Sequence, residues 1–234
     1  MENPTYKTIF DRIQTGQFRS ALDVIAHALV KSPDDPYLLY YSGLAHRRLN
    51  NYQEAAKVYC KSLDIDPRNP SVHLGLGIVY QLQGLYEEAI ESLKEAIKLE
   101  PNFPEAHNSL GLTYSKVGNY QAALECYERA AEAIIEMAHT QLAKDDKKYF
   151  TSTVTTHGLN SLMINPEAFD SIESILKSNL MWSISMNNIA LCLTALGERA
   201  RAKKIFEESI RFIPEGVGYD APFDGLRALE NERE

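Results

Sequence analysis

The sequence predicts an all-α array of helical hairpins stacked side by side. Three observations carry that expectation. Residues recur at a period of 34 without a gap through units 2–35, 36–69, 70–103 and 104–137, and a fifth unit at 183–216 keeps the same columns. Within a unit the apolar residues fall at helical spacing in two runs, parted by a Gly or Asn. Prolines at 33, 67, 101 and 214 occupy the column near the end of a unit, where a ring without an N–H stops a helix.

Each element of the hairpin has its own column. The eighth holds Ile9, Gly43, Gly77, Gly111 and Ala190, and the twentieth holds Ala21, Ala55, Ala89, Ala123 and Ala202. Small side chains there let the two helices approach closely. A larger one at Ala55, Ala89 or Ala123 costs about 1–3 kcal/mol through overpacking. Gly16, Asn50, Gly84, Gly118 and Gly197 make the turn. Phe18, Tyr52, Tyr86 and Tyr120 begin the second helix, with Arg199 at that place in the fifth unit. A hairpin cannot bury its apolar face alone, so neighbours must stack.

These columns resemble the tetratricopeptide repeat family, over about 170 residues counted as five units. The family's tryptophan column departs, holding Thr5, Leu39, His73, His107 and Met186. The resemblance implies a right-handed superhelical solenoid. It also implies a concave surface, lined by the first helix of each hairpin, that holds a peptide or protein segment. The implied groove positions are Tyr6, Phe10, Tyr37, Tyr40, Tyr41, Leu44, Arg47, Arg48, Leu74, Ile78, Asn108, Leu112, Lys116, Asn187 and Leu191. The ninth column (Phe10, Leu44, Ile78, Leu112, Leu191) is apolar throughout. It reads either as groove floor or as inter-helix core. An apolar, tyrosine-rich floor with a basic edge suits an apolar segment carrying Asp or Glu. Some relatives clamp a terminal carboxylate with Lys and Asn. Tyr6, Phe10 and Tyr41 stand here instead, which argues against that clamp.

The fourth unit breaks the pattern. Ile135 occupies the proline column, so the helix from Tyr120 is expected to continue through Ile134, Ala138 and Leu142 toward Tyr149, about 45 Å for about 30 residues. The stretch 151–165 lacks a helical period. A helix over 166–180 is then expected, with Asn165 as N-cap, Pro166 in the first turn and a stripe of Phe169, Ile172, Leu176 and Leu180. The insertion 138–182 reads either as an internal brace or as a docking device for another copy or another protein. The tail 217–234 reads as a cap, with Asp220 opening a short helix and Phe223, Leu226 and Leu229 covering the last apolar face.

Composition narrows the function. The chain is 44% hydrophobic and 24% charged, with a net charge of −8 that opposes binding to nucleic acid. No apolar run is long enough to span a bilayer, so no membrane insertion is expected. Cys60, Cys126 and Cys192 have no CxxC spacing, which suggests neither a disulfide framework nor a zinc site. Without a signal-peptide pattern in "MENPTYKTIF", the expected location is cytoplasmic. The six histidines show no metal-ligand spacing, and "GLG" at 75–77 follows no strand. No catalytic, cofactor or metal site is expected. The expected function is a non-catalytic protein-binding adapter or assembly scaffold. The alternatives are a scaffold that assembles with its own copies through the groove and insertion, and an enzyme with a site in the insertion.

Overall fold

The computed structural model describes residues 4–145, 176–177, 179–214, 216 and 218–231, and among these the regular structure is all α-helix. The chain divides into two compact units, 1–101 and 102–234.

The first unit holds α1 (Pro4–Gln14), α2 (Phe18–Lys31), α3 (Pro36–Arg48), α4 (Tyr52–Ile65), α5 (Pro70–Gln83) and α6 (Tyr86–Leu99). Each helix packs on the next, and the first helices α1, α3 and α5 also lie beside one another. The first helices open on proline, at Pro4, Pro36 and Pro70, where a missing N–H costs nothing because no partner exists for it. Asp35 and Asn69 precede two of them, and each accepts the backbone N–H groups of the second and third helical residues. Second helices begin on Phe18, Tyr52 and Tyr86. They end two residues before the prolines, with Ser32, Asp66 and Glu100 as the C-caps between. Pro33, Pro67 and Pro101 therefore follow the stop and forbid its extension.

The turn column is left-handed, with φ of 73° at Gly16, 61° at Asn50 and 78° at Gly84. Asn50 is the one non-glycine with positive φ among the described residues, a conformation Asn tolerates better than most.

The second unit holds α7 (Pro104–Lys116), α8 (Tyr120–Asp145), α9 (Leu180–Ala195), α10 (Arg199–Arg211) and α11 (Ala221–Asn231). Here α8 runs 26 residues, about 39 Å. Ile135 is 1% exposed. It joins Ile134, Ala138, Leu176, Trp182, Met186 and Phe206 in one core. A stop signal has thus become a core position, and burying an isoleucine contributes about 1.5–3 kcal/mol. Ala138, Leu176 and Trp182 belong to the span read as an insertion, and all three are buried, so this part of it packs inward. Trp182 meets Phe212 edge-on at 6.2 Å.

The structure corrects two expectations at the element ends. Leu180, placed by its apolar stripe in an inserted helix, is the first residue of α9. Asn179 caps that helix by accepting from Met181 N. Phe223 is 39% exposed, so it covers the last face less fully than Leu226 and Leu229. Pro222, Leu226 and Leu229 pack inward from α11, and Gly225 lies against the Phe206 ring. Tyr149, the stretch 151–165, and Asn165, Pro166, Phe169 and Ile172 lie outside the described residues.

Candidate functional site

The candidate site is the face that the first helices present, and each unit has its own version. In the first unit it begins at Asp35. One carboxylate oxygen accepts Tyr37 N and Leu38 N at 2.9 and 3.2 Å, and the other accepts the Tyr6 hydroxyl. That one side chain starts α3 and ties α1 to it. The hydrogen bond to Asp35 raises the Tyr6 phenol above its ordinary range, with burial adding to the rise.

From this point a chain of rings runs along α3. Tyr6 and Tyr37 have centroids 4.2 Å apart, Tyr37 and Tyr41 4.5 Å, and Tyr40 meets Tyr41 edge-on at 5.0 Å. Such pairs contribute about 0.5–1.5 kcal/mol beyond area burial. Tyr37, Tyr40 and Tyr41 are half-buried, so the ladder is both packed and accessible along one edge. Tyr40 continues to Tyr59 at 6.4 Å. Burial raises the Tyr40 phenol and the neighbouring Tyr41 adds to it, while the Arg47 guanidinium opposes the rise. Arg47 is half-buried and its guanidinium hydrogen-bonds to the Tyr59 phenol, leaving only Nε without a partner. Arg48 is exposed. His46 is held below the usual imidazole range by burial, against the opposing pull of Glu54.

The apolar ninth column settles unevenly between its two readings. Phe10 is 44% exposed, while Leu44 and Ile78 are half-buried and Leu44 packs against the core of Ile9, Ile25 and Leu38. Leu74 is half-buried as well. In the second unit Leu112 and Leu191 are 41% and 48% exposed, and Lys116 is exposed.

Asn108 and Asn187 are not groove floor. They are 8% and 4% exposed. The Asn108 amide donates to Ser185 Oγ at 2.9 Å, across the seam where α7 meets α9. Asn187 bonds to Tyr219, which partly offsets the rise that burial imposes on that phenol. Ser115 and Cys192 extend the same seam at 3.7 Å. α7 and α9 meet here through small side chains, and polar groups buried between them need each other as partners.

Sequence reasoning missed the twenty-fourth column. Ile25, Tyr59, Leu93, Tyr127 and Phe206 are all fully buried, opposite the eighth. Their recurrence as large apolar or aromatic residues facing Ile9, Gly43, Gly77, Gly111 and Ala190 was the signal available.

Other chemistry is sparse. Among the described residues no three His, Cys, Asp or Glu side chains group as metal ligands, and no helix is long and apolar enough to cross a membrane. A shallow surface dip on α8 is lined by Asn102, Glu136, Met137 and Thr140, with Asn102 donating to Glu136 at 2.6 Å.

A family model described as TPR repeat matches residues 43–84 and 82–118, and models described as tetratricopeptide repeat match 104–133 and 183–218. Together they span more than half of the chain. A crystal structure of MamA superposes with a TM-score of 0.61 at 17% identity, over 91% of this chain and 95% of that one. A thermophilic TPR protein of Thermus thermophilus, TTC0263, superposes with a TM-score of 0.60 at 16% identity, over 97% of both chains. At these identities the likeness is one of fold. No curated protein matches in sequence.

Proposed function

Because this chain belongs to the tetratricopeptide repeat family, we propose that it is a non-catalytic protein-binding adapter or assembly scaffold, with the tyrosine face of α1 and α3 as its docking surface. The observation that carries the reading is the ring ladder from Tyr6 through Tyr37 and Tyr41 to Tyr40, half-buried and flanked by exposed Phe10 and Arg48. Tyrosine and arginine are the side chains that most often anchor interfaces. Their packing against one another fixes the rotamers beforehand, so little side-chain entropy is lost on docking. The partner segment is apolar and carries acidic residues, to match the ladder and its basic end.

Affinity capture followed by re-binding of the purified partner tests this. Tyr41→Ala combined with Phe10→Ser is expected to weaken binding at least about tenfold, the cost of losing one aromatic anchor. Circular dichroism should show unchanged helix content. Equal affinity of the native chain and this variant for the purified partner sinks the proposal.

A further inference from the structure

Along α3 the residues Tyr37, Tyr41, Leu44 and Arg48 stand at i, i+4, i+7 and i+11, which puts them on one stripe of the helix. The stripe is graded. Its head is the Asp35 carboxylate, with both oxygens already engaged. Its middle is aromatic, and its foot is Arg48, while Arg47 stands about 100° round the helix and meets Tyr59.

Cations in a last helical turn complement the helix dipole, which accounts for positive charge at the foot but supplies no hydrogen-bond acceptor. Lys57, Lys98, Arg129 and Arg201 each pair with a glutamate three residues away. Arg48 is exposed and forms no ion pair among the described residues, whereas Arg47 is half-buried and its guanidinium hydrogen-bonds to the Tyr59 phenol. In a chain with a net charge of −8, an exposed arginine at the end of the tyrosine stripe is a distinct local charge.

Building on the tyrosine face as a docking surface, we propose that this stripe reads a spacing: a partner's carboxylate on Arg48, about 10–16 Å from an aromatic or aliphatic anchor on the tyrosines. The distance follows from helix rise. Arg48 lies about 10 Å along the axis from Tyr41 and about 16 Å from Tyr37, at about 1.5 Å per residue. An extended segment advances about 3.3 Å per residue, so anchor and acid stand about three to five residues apart. Asp35 at the other end repels an acid placed there, so the stripe accepts the segment in one register. Because Arg48 is exposed, the acid sets register and specificity more than affinity.

Short labelled peptides test this, each with a Trp-Leu anchor and one Glu at a varied distance on either side, matched by Lys versions. Binding to the full chain is read by fluorescence anisotropy at low salt. Affinity should peak when Glu stands about three to five residues from the anchor, at least about fivefold above the Lys version. Arg48→Glu should reverse that preference with helix content unchanged and only a small fall in melting temperature, from the lost contact with the helix dipole. Equal binding of Glu and Lys peptides, a peak at another spacing, or a preference that survives Arg48→Glu overturns the inference. Peptide binding that needs Tyr41 but ignores charge rejects the spacing and leaves the docking face standing. Binding by none of the peptides also rejects the spacing, and the capture experiment then judges the face alone. Self-association abolished by Arg48→Glu in sedimentation would make a second copy the occupant and overturn the assignment to a separate partner.

Discussion

Tyr59 shows how much one residue can fix. It is fully buried on α4, and its ring fills space left by two glycines, Gly43 on α3 and Gly75 on α5. A Cβ at Gly43 would sit 2.5 Å from that ring, and one at Gly75 2.6 Å from it. Gly43→Ala is therefore expected to lower stability by about 1–3 kcal/mol in urea unfolding. Tyr59→Leu in the same chain should recover part of the loss, because the two sites share one space. Burial also raises the Tyr59 and Tyr127 phenols. A raised phenol keeps its proton in the folded state after the unfolded chain has begun to lose it at about pH 10. That contribution is complete below pH about 10 and is lost as pH rises toward the folded values. The urea midpoint should fall above that pH, and Tyr127→Phe should make the fall shallower. The recurrence of Gly43, Gly77 and Gly111 was legible in the sequence, but their occupants were not. Which large residue fills a gap depends on a helix sixteen residues further along the chain, and no local rule names it.

At the scale of the helix, the decisive difference lies between α8 and the other second helices. Restoring the stop by Ile135→Pro should cost about 3 kcal/mol or more, by removing a helical hydrogen bond and clashing with the preceding turn. The loss of a core isoleucine adds to this. Reduced ellipticity and a lower thermal midpoint would register it. Gly84→Ala forces a side chain into a φ of 78° and should cost about 1–2 kcal/mol, with no clash to relieve. Turns and helix starts were readable because Gly, Asn and an aromatic act through their own backbone and their nearest neighbours. The long α8 was readable for the same reason, since one missing proline is a local event. The start of α9 was not. A stripe with helical period runs through Leu176 and Leu180 alike, and only the Asn179 cap shows where a new helix begins. Asn108 and Asn187 misled for a related reason: a position exposed on a lone hairpin is buried when the next first helix lies against it.

For the molecule as a whole, the last hairpin must be closed. α11 does this by laying Gly225 against Phe206, and Arg199 donates to the Leu229 carbonyl. Removing residues 218–234 should uncover that surface and promote concentration-dependent aggregation in light scattering. Repeat chains also change by losing or gaining whole units, and here Tyr59 bears on which rearrangements survive. Glycine occupies the sixth column in the third unit, where Tyr59 arrives. The second unit has Tyr41 there, beside the smaller Ile25. Excising residues 36–69 would keep the reading frame and every repeat motif, yet set an isoleucine against Gly75 and leave a void where a phenol had been. Units that look equivalent in an alignment are therefore keyed to their neighbours, and the order of the hairpins is inherited with their sequences.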